Sequence, residues 1–174
     1  MPPRLAYRAS QFWNAIPGSR KQVETKRLLP YLKPAQIVLF QRMKPFEQVH
    51  AYRMLVRLKD SGHRDPNLLA AALLHDVGKI LSPLSLLDRV VIVLGQRLFP
   101  RCARRWSEGT LNRFRRPFIV AAHHPDWGAD LAMRAEASSL TVELIRRHQQ
   151  PIPSNPDADR DRLLAVLQAA DDNN

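Results

Sequence analysis

The segment LLAAALLHDVGKI, residues 68–80, limits what this chain can fold into more than any other stretch. From 68 to 74 every residue is Leu or Ala, so a helix built from it is apolar on all sides and belongs in an interior. His75 and Asp76 come directly after it, then Gly78 and Lys79. Carrying an imidazole and a carboxylate to the end of a buried helix without partners is costly. Other parts of the chain must therefore supply bonds to both.

Those other parts predict an all-α class. Apolar residues recur at three and four positions, strand-like alternation is absent, and Pro and Gly punctuate the segments. The pattern predicts helices over 19–30, 34–43, 45–60, 66–77, 84–98, 100–106, 110–123, 126–135, 138–149 and 157–171. Asp65 before Pro66 is the clearest start, an N-cap with proline at the first helical position, and Gly78 is the clearest stop. QQPIPSNPD, 149–157, holds three prolines and predicts a connector. A chain of 174 residues without internal repeats is long enough for one well-buried core.

Helical spacing sorts the histidines by face. His50 lies four residues after Phe46 and four before Met54, on an inward stripe. His75 succeeds Ala71 and Ala72 at the same spacing, and His148 succeeds Leu144 and Ile145. Of the pair at 123 and 124, His124 is favoured, because Gly128 and Leu131 continue its face; Pro125 with Asp126 resembles a new helix start. His63, in the turn SGHRDP, suits a solvated loop. Near the end, Leu163, Leu167 and Asp171 form one stripe, whereas Leu164, Gln168 and Asp172 turn polar sooner. Asp171 is thus the inward aspartate, and five helices each present an inward His or Asp.

The order His50, His75 with Asp76, His124, His148, Asp171, together with ALLHDVGK, resembles the HD superfamily of metal-dependent phosphohydrolases. His124 with Gly128 and Ala129 resembles the HxxxGA element of the branch that includes bacterial dinucleoside tetraphosphate hydrolases. The resemblance implies a compact HD-type helical bundle over 45–174 behind an N-terminal helical extension over 1–44. It also implies that His50, His75, Asp76 and Asp171 surround one metal ion, while His124 and His148 complete a second that Asp76 bridges. Imidazole and carboxylate ligands without thiolates suit Fe or Mn, with Zn, Ni or Co as alternatives. Asp76 and Lys79 would then be catalytic, and Lys79 and Arg53 would bind substrate phosphate. The competing expectation for Lys79 is a cation complementing a helix C-terminus, and for Arg53 a snorkelling surface side chain.

Charge and composition narrow the partners. The chain carries 27 Lys and Arg against 16 Asp and Glu, a formal charge of +11, which raises the local concentration of anionic ligands. A phosphate-containing small molecule, above all a nucleotide, is the expected substrate. RCARRWSEGTLNRFRR, 101–116, has six arginines and one glutamate beside Trp106 and Phe114. It leaves nucleic acid as an alternative partner, although no recognised nucleic-acid motif accompanies it. Cys102, the only cysteine, excludes an internal disulfide and a thiolate metal cluster and fits a cytoplasmic location. LSLLDRVVIVLGQRLF is interrupted by Asp88, Arg89 and Arg97, so no membrane span is expected. The Glu and GYP element of cyclic-dinucleotide phosphodiesterases and the Glu-Asp pair of alarmone hydrolases are missing. Two other functions share the ligand order: an HD-fold di-iron oxygenase, and a metal-binding regulatory module that binds nucleic acid or a protein.

Overall fold

The computed structural model describes residues 23–108, 112, 114–152 and 159–172. The chain runs through a 3-10 turn (Thr25–Arg27), then α1 (Pro34–Gln41), α2 (Pro45–Asp60) and α3 (Pro66–Leu74). A second 3-10 turn (Val77–Leu81) leads to α4 (Leu86–Leu98), α5 (Pro100–Ser107), α6 (Arg116–Arg134), α7 (Ser139–Arg147) and α8 (Asp159–Asp172). Among the described residues there is no strand, and the class is all-α as the spacing predicts.

Local chemistry sets the helix starts. Pro34, Pro45, Pro66 and Pro100 each occupy the first helical position, where the missing N–H is no loss and φ is already helical. The Asp65 carboxylate accepts hydrogen bonds from the Asn67 and Leu68 N–H groups at 2.8 and 3.0 Å. Ser85 caps α4 in a reciprocal box with Asp88, and Ser138 caps α7 through the Thr141 N–H.

α3 lies at the centre. Every residue from Leu68 to Leu74 is buried, and α1, α2, α7 and α8 all pack against it. Leu28, Ile37 and Phe40, which precede α2, join the same apolar cluster as Met54, Leu55, Leu144, Ile145, Leu164 and Leu167. The polar end of α3 is therefore surrounded by helices from both ends of the described chain.

Three sequence expectations change. Of the helix predicted over 19–30, residues 19–22 lie outside the described residues, and the remainder holds only the Thr25–Arg27 turn. Pro30 has no N–H to continue an α-helical ladder there. α3 ends at Leu74 rather than at 77, and Gly78 does not stop it. Gly78 sits inside the 3-10 turn, where a Cβ would lie 2.0 Å from the His124 carbonyl oxygen and 2.7 Å from the Gly128 nitrogen. Its role is close approach, with Gly128 opposite, so that the turn can lie directly on α6. Finally, the two helices predicted over 110–123 and 126–135 are one helix, α6, with Pro125 inside it.

Gly78→Ala is expected to cost about 3 kcal/mol or more, because both neighbours are backbone and cannot yield. Gly62→Ala, at φ +88° in open space, is expected to cost only about 1–2 kcal/mol. Urea unfolding of the two variants checks the ranking, and equal costs would contradict the close-approach role of Gly78.

Candidate metal centre

Six ionisable side chains from five segments converge beside the end of α3. His50 comes from α2, His75 and Asp76 from the junction after α3, His124 from α6, His148 from the end of α7 and Asp171 from α8. They form two groups with ligand atoms mutually within 4.8 Å: His50, His75 and Asp171 in one, Asp76, His124 and His148 in the other. The groups touch. Asp76 Oδ2 is 3.7 Å from His75 Nε2, while Asp76 Oδ1 is 3.3 Å from His124 Nε2. The imidazoles of His75 and His148, and those of His124 and His148, have centroids 5.2 Å apart.

Each buried imidazole is oriented from behind. His75 Nδ1 donates to the Ala72 carbonyl at 3.0 Å, His148 Nδ1 to Ile145 at 2.7 Å, and His124 Nδ1 to Val120 and Ala121 at 2.9 and 3.1 Å. With Nδ1 carrying the proton, Nε2 holds an outward lone pair. Among the described residues four buried side-chain nitrogens have no hydrogen-bond partner; three are the Nε2 atoms of His75, His124 and His148, and the fourth is Arg89 Nε. Three orphaned lone pairs pointing at a carboxylate are costly in a protein interior but suit a cation. The residues present therefore fit a divalent metal ion.

The electrostatics agree with that fit. Burial lowers the His75 pKa, although Asp76 and Asp171 work against it. Burial, reinforced by His75 and His124, pushes His148 down to about 3. Both rings are thus neutral and able to ligate near neutral pH. Burial works to raise the Asp76 pKa, but Lys79, His75 and His124 outweigh it and hold the carboxyl well below its ordinary value. At Asp171 burial again raises, and the His50 hydrogen bond with the nearby imidazoles lowers further. The His50 Nε2 to Asp171 Oδ1 distance is 3.0 Å, and these are the two part-exposed members of the set, so the cluster opens towards solvent on their side.

Pro125, which in sequence resembles a break, has a different function. Inside α6 it supplies no N–H to the Ala121 carbonyl four residues back, and the His124 ring takes up that acceptor instead. A proline directly after the second of two histidines is the signal that sequence offers for this. His123, the other of the pair, is exposed, lies within hydrogen-bonding distance of the Ser107 carbonyl and stacks on Trp127, away from the cluster. His63 is part-buried in its turn and does not join either group. Lys79 lies in the 3-10 turn, with Nζ 2.6 Å from Asp76 Oδ2. Arg53 is exposed one turn after His50 and makes no ion pair among the described residues.

An all-α domain that gathers His and Asp ligands around a central His-Asp pair defines a class of helical metal-binding proteins. The model of the HD domain family matches residues 49–172, and the chain belongs to that family. HD domains bind divalent metals, and most are metal-dependent phosphohydrolases. No curated protein and no solved structure matches the chain.

Pro125→Ala is expected to keep α6 helical while giving the Ala121 carbonyl a competing backbone donor. The loosened His124 ring should lower metal affinity about tenfold, as loss of an orienting hydrogen bond does elsewhere. Competition of Mn or Zn against a chromophoric chelator measures it; unchanged affinity would leave the proline with a purely structural role.

Proposed function

We propose that the protein is a metal-dependent phosphohydrolase acting on a nucleotide or a related phosphate ester or anhydride. The observation that carries this reading is the trio of buried, unpartnered Nε2 atoms turned towards Asp76. His50, His75 and Asp171 would hold one ion, and Asp76, His124 and His148 a second, with Asp76 spanning the two through its separate oxygens. Bound there, divalent ions such as Fe or Mn supply Lewis acidity and an activated water for in-line attack on phosphorus.

The chain's own residues do the rest. Asp76 stays ionised and joins the two ligand groups, so no further carboxylate is needed between them. Lys79 donates one of its three N–H bonds to Asp76, leaving two for a phosphate oxygen in the transition state. Arg53, exposed on the same helix as His50, is available to the distal part of an anionic substrate. The +11 charge supports an anionic substrate class by raising its local concentration.

Purified protein is expected to hold about two transition-metal ions per chain, and His124→Ala with His148→Ala about one fewer. Elemental analysis checks this, and full retention in the double variant would remove His124 and His148 from the ligand set and overturn the two-group arrangement. Phosphate or nucleotide release should proceed equally with and without dioxygen, because the nucleophile is water. Turnover that stops in an anaerobic chamber would replace the hydrolytic reading with an oxygenase.

Lys79→Met should leave metal content intact and lower kcat/KM about tenfold or more, equivalent to at least roughly 1.4 kcal/mol of lost transition-state stabilisation. Unchanged kinetics in a less stable variant would return Lys79 to a structural ion pair.

A further inference from the structure

Helix α4 is built unlike the others. Its sequence LLDRVVIVLGQRL is mostly Leu, Val and Ile, yet Gly95 alone is buried among its described residues. Leu87, Val91, Leu94 and Leu98, spaced four, three and four apart, form a single stripe exposed at 77, 46, 46 and 61 %. Phe99 and Phe114 extend it, at 58 and 89 %. Beside the stripe runs an open cleft of about 870 Å³, lined by Val91, Leu94, Leu98, Trp106, Phe114 and Phe118. The cleft has a packed wall: Trp106 and Phe118 rings meet at 5.1 Å, and Phe118 fits only because position 95 has no side chain. An apolar surface of this extent on a folded domain marks an interaction site.

Charge decides what covers it. Residues 101–116 carry six arginines against one glutamate, +5 of the chain's +11. Arg97, Arg101, Arg104 and Arg105 are exposed and make no ion pair among the described residues, and Arg115 lines the cleft. A second copy would bring the same positive charge against itself. A nucleic-acid backbone would satisfy the arginines but leave an aliphatic stripe without contacts. An anionic lipid surface satisfies both, with phosphates for the guanidinium groups and acyl chains for Leu, Val and Phe.

We propose that the α4–α5 face docks onto the surface of an anionic phospholipid bilayer, the stripe and the two phenylalanines entering the acyl boundary and the arginines lying among the headgroups. The attachment is peripheral, since no helix among the described residues is long and apolar enough to cross a membrane. It is independent of the metal centre, and failure of either reading leaves the other standing.

The test is co-sedimentation of the full chain with vesicles of phosphatidylglycerol and phosphatidylcholine, against vesicles of phosphatidylcholine alone. Binding should be about tenfold or more stronger to the anionic vesicles and should weaken as salt is raised. Leu94→Gln with Leu98→Gln alters exposed positions only and adds no charge, so its helical circular dichroism should match the parent while vesicle binding falls about tenfold or more. Arg101→Glu with Arg105→Glu should also reduce binding. Unchanged binding in the leucine variant would mean charge adsorption alone and would overturn the proposal. So would absence of vesicle binding, whether accompanied by self-association that the leucine variant abolishes in sedimentation velocity, or by retention of a single-stranded RNA oligonucleotide.

Discussion

Three ring N–H groups donating to helix carbonyls set the character of this interior. Because Nδ1 of His75, His124 and His148 is committed to the backbone, each Nε2 is left as a buried acceptor without a donor. Such atoms are tolerated only where something electropositive can meet them. Their convergence on Asp76 therefore ties the placement of α3, α6 and α7 to one small volume. The glycine pair at 78 and 128 serves the same end, letting the turn that carries Asp76 rest on the helix that carries His124. Lys79 adds the only cation bonded to Asp76 among the described residues and, with His75 and His124, holds the carboxyl well below its ordinary value despite burial.

Much of this is legible in the sequence because helical spacing reports which face a residue occupies. The stripe that joins His50 to the buried Met54 needs no tertiary information, but near the chain's last helix the spacing leads to Asp171 through Leu163, which is only part-buried, while Leu164 of the stripe set aside is fully buried. Pairing the residues into two groups needs tertiary information, since that depends on how the helices cross. Gly78 resembles a helix stop because glycine's commonest use at that point is a C-cap, whereas here the missing Cβ matters for a contact with residues 124 and 128, far along the chain. Pro125 resembles a helix start because the usual argument considers the bond that proline cannot make; the carbonyl left free by that missing bond is invisible until a ring is seen using it. The buried Glu47 to Arg89 pair, 2.7 Å apart and 42 residues distant in sequence, leaves no periodic signal at all.

The molecule separates two kinds of polarity. Around α3 the polar groups are few, buried and individually directed. On the α4–α5 side they are many, exposed and predominantly positive, beside apolar residues that the core did not take up. The first arrangement suits selection among small ligands by geometry, and the second suits a broad surface that recognises charge and hydrophobicity without a fixed shape.

The span of chain between ligands has a consequence for order of assembly. Asp76, His124 and His148 belong to segments packed directly on one another, whereas His50 reaches Asp171 across 121 residues and depends on α8 coming to rest on α2. Closing a contact across that much chain is the slower event in folding. The group of Asp76, His124 and His148 is thus complete once α6 and α7 rest on the turn after α3, whereas the group of His50, His75 and Asp171 waits for the arrival of α8.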